Sequence, residues 1–224
     1  MDKLYEIGKV SLNWLGQMGF LIETDNIRLC IDYFASPDDL RQTPVPIPTG
    51  ELKDVDVFLG THDHLDHIDH EAWKIWAKTN PDAKFVFPAA HEFLDQDPIT
   101  GFYPYLQYII EIGDVKIHHA GDTVRYEGMM PKIQSYGGID VQILPINGRD
   151  AKRYRQNCIG NMTYQEAADL AGEINPGIVI PGHWDMFADN SGDPDSFADY
   201  LDAKYGGRIK CIIPKVMEEI TIQK

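Results

Sequence analysis

The chain has 224 residues, 43% of them hydrophobic, and its 20 lysines and arginines face 35 aspartates and glutamates for a formal net charge of −15. That length suits one domain, 1–224, with a well-developed core, and the ordinary composition excludes a low-complexity chain. A net field of this sign repels nucleic acid and anionic lipid, so neither is expected as a partner. Met1-Asp2-Lys3-Leu4-Tyr5-Glu6 lacks a cationic segment followed by an apolar run, and no stretch approaches a membrane span, so a cytoplasmic location is expected. Cys30, Cys158 and Cys211 are widely spaced, without metal-pair spacing; Cys30 and Cys211 lie in apolar strand-like runs and read as buried packing residues.

Residues 7–32 alternate apolar and polar side chains around turn signals at Gly16 to Gly19 and Asp25-Asn26, which predicts a three-stranded meander. A loop with Pro44, Pro46 and Pro48 follows, too rich in proline for regular structure. A strand over 55–60 then leads into Thr61-His62-Asp63-His64-Leu65-Asp66-His67. Imidazoles and carboxylates this dense are costly to leave unpaired in a folded protein, and a divalent metal is their usual partner. Side chains two apart on an extended chain share a face, so His62 and His64 can point at one ion. Asp66 and His67 follow where the chain turns into a helix, within reach of a second ion. The alternative is a polar loop with Asp66 as a helix cap, but a cap needs one acceptor and not five metal-competent groups.

A helix is predicted over 69–79 with Trp73, Trp76 and Ala77 on one face, then a short strand over 84–87. Residues 106–112 and 115–119 read as a hairpin turned at Gly113-Asp114. The second half predicts a helix over 126–136, a strand over 141–145, and a helix over 164–174 opened by Thr163 and Glu166 as a capping box. A strand over 178–181, a helix near 195–205 and strands over 209–213 and 218–222 complete the chain. Strands in both halves with helices between them predict an α/β fold, two mixed sheets packed face to face and covered by helices outside.

The run His62-Asp63-His64-Leu65-Asp66-His67 resembles the His-x-His-x-Asp-His signature of the metallo-β-lactamase superfamily of hydrolases. Ile31-Asp32, Ala89-Ala90-His91-Glu92, Ala120-Gly121-Asp122-Thr123 and Ile180-Pro181-Gly182-His183-Trp184-Asp185 resemble that family's other landmarks, in order. Within the superfamily, the runs 61–69, 119–123, 145–150, 160–163 and 181–187 are most similar to the L-ascorbate 6-phosphate lactonase-like branch. The resemblance implies the αββα sandwich of that fold. It also implies a dinuclear centre in which His62, His64 and His91 hold one ion, Asp66, His67 and His183 the other, and Asp122 bridges them. Zinc or manganese suits such mixed ligands, and iron also accepts them. The implied reaction is hydrolysis of a small, anionic lactone or ester by a hydroxide shared between the ions, with Asp66 accepting a proton from the attacking water. A metal-dependent phosphodiesterase, or a non-catalytic binding module that keeps the fold, is the alternative.

Several residues carry two readings. Asp122 and His183 are metal ligands by resemblance, or a turn-forming aspartate and a packed histidine. Asp185 either protonates a leaving group and orients a ligand, or caps the next loop. Asp32 reads as a hydrogen-bonding support for the metal loop. His119 either supports the site or is packed in its strand, and His70 and His118 read as surface or packing residues. The segment Arg149-Asp150-Ala151-Lys152-Arg153-Tyr154-Arg155 is either a reader of anionic substrate or a solvated loop, with Asn147, Arg149 and Arg153 as the substrate contacts. The stretch between the first helix and His91 is short for the family, so the first half looks truncated, and a second copy of the chain could cover the exposed sheet edge in a homo-oligomer.

Overall fold

In a computed structural model, residues 9–89 and 103–223 are described. The predicted meander is β1 (Val10–Gly16), β2 (Gly19–Glu23) and β3 (Arg28–Ile31), antiparallel throughout. β4 (Val57–Leu59) and β5 (Lys84–Val86) add to it in parallel, with α1 (His70–Thr79) crossing between them. The second sheet begins with the hairpin β6 (Tyr108–Ile112) and β7 (Val115–His119). After α2 (Met129–Gln134) come β8 (Val141–Pro145), α3 (Ala151–Arg155), α4 (Tyr164–Ile174) and β9 (Ile178–Gly182). α5 (Pro194–Tyr205), β10 (Lys210–Cys211) and β11 (Glu219–Ile222) close the chain. The strand orders are β11-β1-β2-β3-β4-β5 and β10-β9-β8-β7-β6, each sheet mixing parallel and antiparallel neighbours. The predicted αββα sandwich is the observed fold.

The two-residue strand period sorts side chains into layers. Leu12, Phe20, Ile22, Ile117, Ile143 and Ile180 fill the space between the sheets. Their neighbours Leu21, Cys30 and Phe58 face the other way, onto Ala72 and Trp76 of α1, where the Phe58 and Trp76 rings stack 5.1 Å apart. On the far side Leu144 and Val179 meet Ala167, Leu170, Phe197 and Leu201 of α4 and α5. The first sheet has six strands among the described residues, with β5 at one edge. Cys211 is only half-buried, in a strand that runs for two residues at the other sheet's edge, unlike the buried Cys30. No helix among the described residues is long and apolar enough to cross a membrane.

Strand ends set up the site. β1, β3, β4, β7 and β9 finish along one edge of the sandwich, and Gln17, Asp32, Thr61, Asp122 and His183 follow them within a few residues. The predicted capping box at α4 is present: the Thr163 hydroxyl accepts from the Glu166 amide, and the Glu166 carboxylate accepts from the Thr163 amide. Thr163→Ala is expected to lower stability by about 1 kcal/mol in urea denaturation, with no change in the slope of the transition.

Candidate metal centre

Asp32 lies at the base of the site, 1% exposed. Its Oδ1 accepts the Thr61 amide (2.8 Å), and its Oδ2 accepts the Thr61 hydroxyl (2.7 Å) and His67 Nδ1 (2.8 Å). This is the support read from the sequence. It also fixes the His67 orientation: with the Nδ1 proton committed to Asp32, Nε2 is the nitrogen that faces the site and would bind an ion once its own proton is displaced.

Around that nitrogen the motif converges. His67 Nε2 is 3.3 Å from Asp122 Oδ1 and 3.7 Å from Asp66 Oδ2, and His183 Nε2 is 3.5 Å from Asp66 Oδ2 and 3.4 Å from Asp122 Oδ2. His62 Nε2 is 4.0 Å from Asp122 Oδ2 and 2.8 Å from His64 Nδ1. Tyr105 stacks on the His62 ring at 4.8 Å, with its hydroxyl 3.4 Å from His64 Nε2. Of the sequence-predicted ligands, His62, His64, Asp66, His67, Asp122 and His183 are thus brought together, and His91 lies outside the described residues.

The electrostatics show what the cluster lacks. Burial disfavours charge here, yet Asp122, Asp32 and Asp66 hold His67 well above the usual histidine range, and Asp122 and Asp66 carry His183 up to about 10. Against the same burial, the two imidazoles hold Asp66 and Asp122 below the usual carboxylate range. Burial and the neighbouring His67 push His62 down to about 3, leaving it neutral. His67 Nε2 and Asp122 Oδ1 are both buried without a hydrogen-bond partner. Donor atoms of His62, His67 and Asp122 lie within 4.8 Å of one another, as do those of Asp66, His67 and His183. A buried imidazole nitrogen that these carboxylates hold protonated and an orphaned carboxylate oxygen facing it fit a divalent cation, which would take the place of that proton. His67 has a single free nitrogen and can serve only one of these groups. An ion beside Asp66, His67 and His183 therefore leaves His62, His64 and Asp122 for another.

Backbone strain gathers at the same edge. Gln17 (φ 50°), Asp32 (φ 46°) and His183 (φ 60°) are all left-handed although none is glycine, which costs about 1–2 kcal/mol at each. Gly121 (φ 58°), next to Asp122, is also left-handed, and a Cβ there would lie 2.8 Å from Thr61 Cβ. Left-handed turns re-aim the chain at the strand ends and bring their side chains inward.

Gln17 is a site residue that the sequence did not flag. It is fully buried in the β1–β2 turn, and its Nε2 donates to Asp66 Oδ2 (3.1 Å) and lies 3.5 Å from His183 Nδ1. Its carbonyl accepts the His183 amide (3.0 Å), and its own amide donates to Asp185 Oδ1 (2.8 Å). Asp185 therefore anchors the turn that holds Asp66 and His183, and it is absent from the described lining of the cavity beside the cluster. The only hint in the sequence was the turn signal at Gly16 to Gly19.

That cavity, about 720 Å³, runs from His64, Asp66, Asp122 and His183 past Asn147 to Tyr126 and Tyr136. Asn147 lines it, its amide joined to Asn190 Oδ1 (2.7 Å) and Asn161 Nδ2 (2.9 Å). The basic segment behaves differently from the expected anion reader. Residues 151–155 form α3, capped by Asp150. Arg149 makes a bidentate pair with Glu166 (2.6 and 2.7 Å), while Arg153 bonds Asp150 Oδ2, the Asn147 carbonyl and Asn190 Oδ1. Both guanidiniums are engaged within the fold and neither is among the described cavity-lining residues. His119 donates to the Met18 carbonyl and is packed under Phe20. His118 is buried, bonded to Gln142 and Gln107 (both 3.0 Å), and forms part of the cavity wall.

A profile of the Beta-lactamase superfamily domain matches residues 11–183, from β1 through the last histidine of the cluster. The chain belongs to the metallo-β-lactamase superfamily. Among its relatives is a UPF0173 metal-dependent hydrolase of Caldivirga maquilingensis, 28% identical over 218 residues that cover 83% of this chain and 87% of the relative. Igni18, a metallo hydrolase of Ignicoccus hospitalis, shares the fold with a TM-score of 0.73 at 22% identity, over 96% of this chain and 99% of its own. CmlA, a diiron β-hydroxylase of Streptomyces venezuelae, shares it with a TM-score of 0.65 at 12% identity, over 96% of this chain and 54% of its own. The superfamily fold therefore accommodates more than one chemistry, and the reaction must be argued from the site.

Gln17→Ala is expected to weaken Zn²⁺ binding by about 10- to 100-fold, because it releases both Asp66 and His183. Titration against a chelating indicator reads this, and the urea midpoint of the metal-free variant should stay close to that of the parent. Unchanged affinity would make the glutamine a turn residue only.

Proposed function

We propose that this metal-dependent hydrolase opens a carboxylic ester or lactone at the mouth of its cavity. The observation that carries the reading is the pair of orphaned buried atoms, His67 Nε2 and Asp122 Oδ1, among the donors of Asp66, His183 and His62 where the cavity begins. His62, His64 and Asp122 would hold one divalent ion, and Asp66, His67 and His183 another beside the same Asp122. Bound there, such ions lower the pKa of water towards neutrality and polarise a carbonyl oxygen.

The side chains supply the rest. Asp66, whose side chain is 18% exposed on the cavity wall, takes the proton of the attacking water. Gln17 holds the Asp66 carboxylate in place through its Oδ2. The Tyr105 phenol, protonated at neutral pH, donates to the oxygen on which charge develops. Asn147 and its partners Asn161 and Asn190 form a preorganised polar wall that orients the leaving group.

The lactonase-like branch is part of this proposal. It draws its support from the runs around Thr61 to Asp69 and Pro181 to Phe187, and from the aspartate and histidine donors that those runs contribute. Its phosphorylated sugar acid draws less, because Arg149 and Arg153 are committed to Glu166 and Asp150. Zinc, manganese and iron all suit this donor set.

Zinc- or manganese-loaded protein is expected to hydrolyse simple γ-lactones and aryl esters. Asp66→Asn should lower kcat by at least about 100-fold, as loss of a general base does. Equal rates in Asp66→Asn and the parent would remove Asp66 from the reaction.

A further inference from the structure

The cavity is much larger than the metal donors require. After Asp122 its wall takes in Val124 and Tyr126, then Ile133 and Tyr136 around α2, and also Ile159. Its volume of about 720 Å³ is that of a site for a drug-sized organic molecule. A two-carbon acyl group would leave most of it filled with water.

The wall also gathers side chains that a monomer usually hides. Tyr103 (56% exposed), Tyr126 (47%), Tyr136 (45%) and Ile159 (42%) are large apolar residues open to solvent, and all of them line this cavity. Exposed apolar side chains scattered singly mean little, but a group of them along one concavity marks a surface built to be covered. Tyrosine suits a wall that meets apolar ligand on its ring and water at its hydroxyl.

Charge points the same way. Lys132 is the one lysine or arginine among the described lining residues, against Asp66, Asp122 and Glu127. With Asp66 and Asp122 taken up by the ions, the rest of the described lining carries Lys132 and Glu127, which cancel, so a phosphate or sulfate on the arm would lose hydration there with no net counter-charge to meet it. The arginines that sequence reading assigned to that task are paired elsewhere.

We infer that the cavity binds the uncharged alkyl or aryl arm of the substrate, with the reacting carbonyl at the Asp66–Asp122 end and the arm lying along Tyr126, Ile133, Tyr136 and Ile159. The occupant is continuous with the reacting centre, which argues for a substrate arm over a second copy of the chain. This rests on the ester or lactone reading above, and it replaces a small anionic substrate with a larger neutral one.

The test is a series of γ-lactones with side chains of zero, two, four and six carbons, with a phosphorylated lactone beside them, given to zinc-loaded protein. kcat/KM is expected to rise about fourfold for each methylene that enters the cavity, the equivalent of ~0.8 kcal/mol. The phosphorylated lactone should be among the poorest substrates. Tyr136→Ala and Ile159→Asp, both at solvent-exposed positions, should flatten the dependence on chain length, whereas Tyr154→Ala, on α3 away from the cavity, should keep the parental slope. A flat series, or a preference for the phosphorylated lactone, would overturn the inference. So would a Tyr136→Ala variant that converts a dimer to a monomer while keeping the slope. If no lactone or ester is turned over, the functional reading fails by itself, and the cavity is then read by calorimetry with 2-hexylcyclopentanone as a neutral, non-hydrolysable probe. Binding that Ile159→Asp weakens at least tenfold would sustain the arm site, and no binding to the parent would overturn it.

Discussion

The contact between Asp32 and His67 is the constraint on which the centre depends. A histidine in a buried polar loop has two nitrogens and no inherent reason to present either. Here the Asp32 carboxylate accepts from Nδ1 and from both donors of Thr61, so the start of the motif and its final histidine hang from one buried group. His67 Nε2 is left facing Asp66, Asp122 and His183. Without that anchor, the strand end, the loop and the tautomer would each have to be fixed separately.

The fold delivers its other donors by a shared device. Strands that run the same way within each sheet end on one edge, and a left-handed residue at several of those ends turns the chain across the gap. Gln17, Asp32 and His183 do this without being glycine, so part of the stability provided by the three apolar layers offsets strain located at the site. The result is a surplus of buried carboxylate that protons on His67 and His183 offset in the absence of a cation. Divalent ions would supply that charge directly, and family membership accords with this.

Local signals made much of this legible from sequence. Period-two patterning gave the meander, the hairpin at Gly113-Asp114 and the layer order, because each strand sees apolar surface on defined sides. The dense histidine and aspartate run pointed to the cluster that the structure brings together, because few other structures need such a group. What sequence reading lacked was partnership over distance. Thr163 and Glu166 were legible as a capping box, but the same carboxylate also takes Arg149, 17 residues away, and this removes the arginine from the cavity. Gln17 gave no chemical signal, since its amide matters only once the sandwich brings Asp66 and His183 to it. The Asn147, Asn161 and Asn190 wall is assembled from three separate segments in the same way.

The central claim is that the cluster is a metal centre with room for two ions, so metal content per chain is the direct test. Elemental analysis of protein purified without chelator, then dialysed against zinc or manganese, should give close to two equivalents. His62→Ala should retain close to one, since Asp66, His67 and His183 remain together. One equivalent or none in the parent chain after reloading would contradict the account, because at least one of the two donor groups would then hold no ion.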